Sequence, residues 1–240
     1  MKKKYITLGV VGVLALLTTV GGTLAALNTD TKGGVGAATA GISLENIGID
    51  ITEDTKVTQK MEATGMTPGG EWKNPYRAVC NTAEGGYSVY AKVVVDRYWT
   101  EGTENDTEGT YADISSEVTE AYVSGTGSKT VYNAVEEEAK QYILNDWIVT
   151  YADDEQMILY YRKPLKSGES SSDFLTGIRF LPEMGNAYAD KDYHMDITVT
   201  AVQANNSEDA IAAELGVFPT FDGKGNMTWV SETRPSNYGE

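Results

Sequence analysis

One cysteine and one histidine are the scarcest side chains of this 240-residue chain. Cys80 alone excludes an internal disulfide and a multi-cysteine metal cage. His194 alone excludes a two-histidine zinc site within one chain, and any Ser-His-Asp arrangement would have to use it. Catalytic signatures are missing too: no H-E-x-x-H, G-x-S-x-G, C-x-x-C or G-x-x-x-x-G-K-S/T occurs, and no motif asks for a cofactor. Basic charge is short as well. Residues 1–25 hold three lysines and no acid, which leaves 16 basic and 35 acidic groups on the rest, a net of −19. That charge repels nucleic acid and anionic membrane surfaces, so neither is a main partner.

What is present begins with an export signal. Met1-Lys2-Lys3-Lys4 is basic, and Tyr5 to Val20 is an apolar run broken only by Gly and Thr. Gly21-Gly22-Thr23-Leu24-Ala25 then supplies small residues where a signal peptidase cuts. The expected cleavage lies between Ala25 and Ala26. The bland alternative is a retained membrane anchor. Its glycines and threonines make a poor hydrocarbon span, and no basic stop-transfer cluster follows. Residues 26–41 are small and Gly/Ala-rich and read as a flexible or extended arm. Residues 42–240 then form one folded domain, large enough to build a core without staples.

Within that domain the dominant period is two. Ile47, Ile49 and Ile51 share a strand face, and Thr67-Pro68-Gly69-Gly70 is a turn. Arg77 to Asn81 is a strand. Tyr87 to Tyr98 alternates, with Tyr87, Val89, Ala91, Val93 and Val95 on its apolar face. Further strands are expected at Trp147–Tyr151, Met157–Arg162, Phe174–Leu181 and Asp192–Gln203. Residues 100–129 read as an acidic surface excursion. Val131 to Leu144 places Val131, Val135, Ala139, Tyr142 and Ile143 on one helical stripe; Thr130 can cap it and Glu136 can pair with Lys140. A short helix from Asn206 to Leu215 ends at Gly216, and the tail from Val217 is polar and Gly/Pro-containing. The pattern argues for an all-β fold, an antiparallel β-sandwich with a helical insertion and a short C-terminal helix.

Few residues are candidates for chemistry. Asp192, His194 and Asp196 alternate on the polar face of one strand and are a weak metal candidate. Residues two apart on a strand stand about 6.5 Å apart, wide for one ion, and a solvated polar face explains the spacing. Cys80 sits in an apolar run and reads as a buried structural thiol. The acidic groups at 101–108 and 153–155 lack the order of a calcium loop and read as solubilising turns. Fifteen tyrosines against four phenylalanines suit half-exposed sheet faces and interfaces.

The N-terminal Met1-Lys-Lys-Lys, Gly9-Val-Val-Gly, Gly21-Gly-Thr-Leu-Ala25 and Ala26-Leu-Asn-Thr-Asp30 resemble the TasA/camelysin family of exported Gram-positive proteins. Leu27 stands where that family usually has an aromatic residue. The resemblance continues through Pro68-Gly69-Gly70, Asn81-Thr82 with Gly85-Gly86, Tyr87 to Val95, Tyr160 to Leu165 with Gly168-Glu169-Ser170, and Asp196 to Asn205. It implies a jelly-roll sandwich, removal of the signal by a SipW-type signal peptidase, and secretion to the cell surface or extracellular matrix. It also implies self-association into biofilm fibres beside other matrix components. Camelysin is classed as a metallopeptidase, so the resemblance carries that activity as the alternative, without a zinc signature here to support it. A monomeric surface binding module is the other alternative.

Overall fold

A computed structural model describes residues 42–46, 56–63, 67–81, 86–101, 112, 116–124, 129–135, 138–188, 191–206 and 208–236. The signal segment, the arm and the Ile47/Ile49/Ile51 alternation therefore lie outside the described residues. Thirteen strands are β1 (Ile42–Asn46), β2 (Lys56–Ala63), β3 (Glu71–Cys80), β4 (Val89–Thr100), β5 (Thr119–Ser124), β6 (Lys129–Val131), β7 (Tyr142–Leu144), β8 (Trp147–Ala152), β9 (Gln156–Tyr161), β10 (Leu175–Phe180), β11 (Asp192–Gln203), β12 (Phe218–Phe221) and β13 (Met227–Ser231). Among the described residues the α-helix is α1, Glu208–Leu215.

The strands form a sandwich of two antiparallel sheets, ordered β1-β3-β10-β5-β6 and β2-β11-β4-β9-β8-β7, with β12 and β13 as a separate hairpin. Strands β1 to β4 alternate between the sheets, and β11 inserts between β2 and β4. Repeated crossing between sheets distinguishes this sandwich from two stacked meanders. The centre is the β4–β11 pair, whose register runs unbroken from Asp192 opposite Thr100 to Gln203 opposite Val89. Its alternation decides the packing: Ala91, Val93, Val95, Tyr193, Met195, Ile197, Val199 and Ala201 all turn inward and are buried. Fully burying each large aliphatic side chain contributes about 1.5–3 kcal/mol. Tyr87 lies before β4 and is exposed, so the inward row begins at Val89.

From the other sheet come Tyr76, Ala78, Cys80, Ala121, Leu175, Ile178 and Phe180. Cys80 is buried and forms no disulfide, as its apolar run implies. Gly177 of β10 is required by a close approach. A Cβ there would stand 2.6 Å from the Tyr122 hydroxyl and 2.5 Å from the Trp72 carbonyl.

Three expectations need correction. Val131 to Leu144 is not a helix: β6 ends at Val131, Val135 bridges to Ala152, a single 3-10 turn covers Glu138–Lys140, and β7 follows. The cause is at Asn145 and Asp146, both at positive φ (55° and 66°). They make a two-residue turn whose twist pairs Tyr142 with Val149 and Leu144 with Trp147. Cross-strand pairing outweighs a helical period carried by four apolar residues and one tyrosine.

The 100–129 excursion contains β5, flanked by β10 and β6 and burying Ala121, Tyr122 and Val123. Its neighbours Ser, Thr and Glu hid it. The polar tail is structured too. Strands β12 and β13 with α1 close a second, smaller core on the outer face of the six-stranded sheet. There Ile211, Leu215, Val217, Met227 and Val230 meet Tyr90, Ile148, Tyr160 and Val202. Tyr90 donates to the Gly225 carbonyl (2.6 Å), and the Lys92 ammonium donates to the Leu215 carbonyl at the end of α1 (2.9 Å).

Candidate functional site

The outer face of the six-stranded sheet has two halves. The C-terminal elements cover the half around Tyr90 and Val202, and the half around Tyr98 and Asp196 is polar and partly exposed. Asp192, His194 and Asp196 all lie on this second half, on alternate positions of β11. The structure gives them separate partners. His194 lies opposite Tyr98, its ring stacked on the phenol at 5.2 Å and 9° between planes. Its Nε2 is 2.8 Å from Thr100 Oγ1, so the hydroxyl at the imidazole belongs to a threonine and not a serine. Asp196 Oδ1 accepts from the Tyr98 hydroxyl (3.4 Å). Among the described residues no group of three His, Cys, Asp or Glu side chains could hold a metal ion.

Asp196 instead meets another acid. Asp96 is its direct cross-strand partner, two like charges facing each other on the ladder. Burial pushes the Asp96 carboxyl above the usual carboxylate range. Gln156 Nε2, donating to Asp96 Oδ1 (2.6 Å), opposes that shift, and the Asp196 charge adds to it. This face pairs a threonine hydroxyl with the imidazole and two carboxylates with each other.

The other candidate surface is the set of sheet edges. Strands β6 and β7 end the sheets on one side with three residues each. β6 carries the exposed Lys129, whose ammonium pairs with Glu71 (2.5 Å) and lies 4.5 Å over the Tyr122 ring. Short edges bearing a lysine resist further strand pairing. The opposite edges differ. β2 runs for eight residues and pairs only with β11 among the described strands, and β1 begins at Ile42, where the arm ends.

Alternation could have found one feature that sequence reasoning missed. Continuing the inward row of β4 past Val95 puts Arg97 and Trp99 inside the sandwich, at 3% and 2% exposure. No protein-family model, no curated protein and no solved structure matches this chain.

Proposed function

We propose that this chain is a secreted cell-surface or biofilm-matrix structural protein, a subunit that builds fibres by N-terminal strand addition. The observation that carries the reading is the unequal protection of the sheet edges. Two edges are three residues long, whereas β2 offers an eight-residue edge. An added strand gains main-chain hydrogen bonds along such an edge. The arm at 26–41, freed by a SipW-type peptidase between Ala25 and Ala26, is the donor. Arm and edge are different surfaces, so the contact is head-to-tail and propagates without closing. The net −19 charge opposes assembly, and salt, acid or divalent cations promote it by screening or neutralisation.

Electron microscopy of chains beginning at Ala26 and at Ile42 tests this. Filaments from the first alone are expected. Filaments from both remove the arm from the mechanism, and filaments from neither, at low pH or with calcium, favour a monomer. The reading assigns no hydrolysis. Casein incubated with the protein and zinc should stay intact, and zinc-dependent cleavage lost in His194→Ala would overturn it in favour of a metallopeptidase.

A further inference from the structure

Arg97, Trp99 and Tyr193 are inward neighbours on the central pair. Arg97 and Trp99 are two apart on β4, and Tyr193 is the direct partner of Trp99 on β11. All three are at least 97% buried. The guanidinium meets only neutral oxygens: one terminal nitrogen is 3.4 Å from Thr119 Oγ1, and the other donates to the Asp153 carbonyl. Among the described residues no carboxylate forms an ion pair with it. Among the described residues Arg97 Nε and Trp99 Nε1 have no hydrogen-bond partner, and the Tyr193 hydroxyl makes no bond of normal geometry but lies within looser reach of Arg97 and Thr119. Thr119 adds no free donor, because its hydroxyl already donates to the Ser116 carbonyl (2.8 Å). Polar groups buried this deeply are normally paired, and a buried cation normally has a counter-charge. Here a fixed positive charge and three donors lie on adjacent inward positions, facing β5 of the other sheet.

We infer that the Arg97–Trp99–Tyr193 cluster is a binding site for a small inorganic monoanion of the halide class. Each donor needs an acceptor and the guanidinium needs a negative charge. A single spherical anion supplies both, and its lack of preferred direction tolerates an N–H from a guanidinium, an N–H from an indole and a phenolic O–H converging at different angles. A neutral water would accept from two donors and leave the charge uncompensated. The Phe180 and Tyr188 rings, with centroids 6.0 and 5.1 Å from that of Trp99, make the surroundings of the indole otherwise aromatic. The anion acts as a structural ligand that holds β4 and β11 against β5.

The test is thermal unfolding of the whole chain in sodium chloride and in sodium gluconate at matched ionic strength, which separates site binding from general screening of the acidic surface. Binding to the folded form alone predicts a midpoint rising by about 2–4 °C for each tenfold increase of chloride above its dissociation constant. Arg97→Met should abolish the chloride-specific part, and Trp99→Phe, which removes one donor and keeps a ring, should weaken it if the methionine variant fails to fold. Crystals soaked in sodium bromide should show an anomalous peak between Arg97 Nε and the Tyr193 hydroxyl. Equal midpoints in chloride and gluconate, a chloride effect unchanged in both variants, or the absence of that bromide peak would each overturn the assignment.

Discussion

Trp147 and Trp99 are buried to the same depth in the sandwich core, at 0% and 2% exposure, in opposite polar surroundings. Trp147 packs edge-on to Phe174 (5.4 Å) and against Tyr161 (4.9 Å), and its Nε1 donates to the Ser172 carbonyl at 3.0 Å. Nearby, the Tyr132 hydroxyl donates to the Phe174 carbonyl. Around Trp99 the rings pack as well, with Tyr193 at 5.0 Å and Phe180 at 6.0 Å, but the indole N–H finds no acceptor among the described residues and the Tyr193 hydroxyl only loose contacts with Arg97 and Thr119. Packing is alike in the two clusters and hydrogen bonding is not. The Trp147 cluster is a finished core. The Trp99 cluster is satisfied as a shape and unsatisfied as chemistry, which marks it as a ligand site.

The largest expected effect breaks the finished cluster. Trp147→Ala removes a fully buried indole and its hydrogen bond to the Ser172 carbonyl, which keeps the Ser171 hydroxyl as a donor, and should cost about 3–5 kcal/mol in denaturant unfolding. A loss below about 1 kcal/mol would show that the loop at Ser172 collapses onto the space. Paired Trp→Phe variants sharpen the contrast. Trp147→Phe removes one of the two donors of the Ser172 carbonyl and leaves the Ser171 hydroxyl, a loss of about 0.5–1.5 kcal/mol that Trp99→Phe should escape in gluconate. In chloride the two costs should converge, because the Trp99 N–H then has an acceptor to lose.

Tyrosine gives the same comparison with a pH readout. Burial raises the phenol pKa of both Tyr132 and Tyr193, with the Tyr142 phenol adding to the first and the Arg97 charge opposing the second. Raised values mean that the fold favours the neutral phenols. Their contribution is therefore complete below the unfolded value near 10 and is lost as pH rises above it. Unfolding should begin above about pH 10 and coincide with tyrosinate absorbance near 295 nm. Free titration of all tyrosines before unfolding would contradict the burial. At neutral pH in gluconate, Tyr132→Phe should cost about 1 kcal/mol for its lost hydrogen bond, and Tyr193→Phe should cost less.

The smallest effect lies on the outer face. Asp96 has a raised pKa, so its protonated form favours the fold, and that contribution is lost as pH rises through the folded value. Asp96→Asn keeps an acceptor for Gln156 and removes the repulsion from Asp196. It should stabilise by about 0.2–1 kcal/mol at pH 7 and not at all once both acids are protonated. Destabilisation at pH 7 would mean that the carboxylate has a cationic partner.

Alternation carried most of the sandwich. Asp192–Gln203 and Trp147–Tyr151 lie where a period of two puts them, because a strand buried on one face leaves its register in the order of residues. β5 left no such trace: it buries Ala121, Tyr122 and Val123 in succession, so its face pattern is lost. Helix and hairpin competed at 131–144, and the outcome lay in the Asn145-Asp146 turn beyond the stripe.

His194 shows the same division. Its polar face follows from its position in the strand, but its Thr100 and Tyr98 partners come from β4, some 94 residues earlier in the chain. Residue order by itself determined an acidic, all-β chain with one thiol and one imidazole, because charge, length and period are properties of neighbours in sequence. Only the tertiary structure decided that the C-terminal hairpin covers Tyr90 and that Arg97 lies inside with no carboxylate partner among the described residues. Contacts between distant segments, and the donors they leave unpaired, exist only once two sheets have closed on each other.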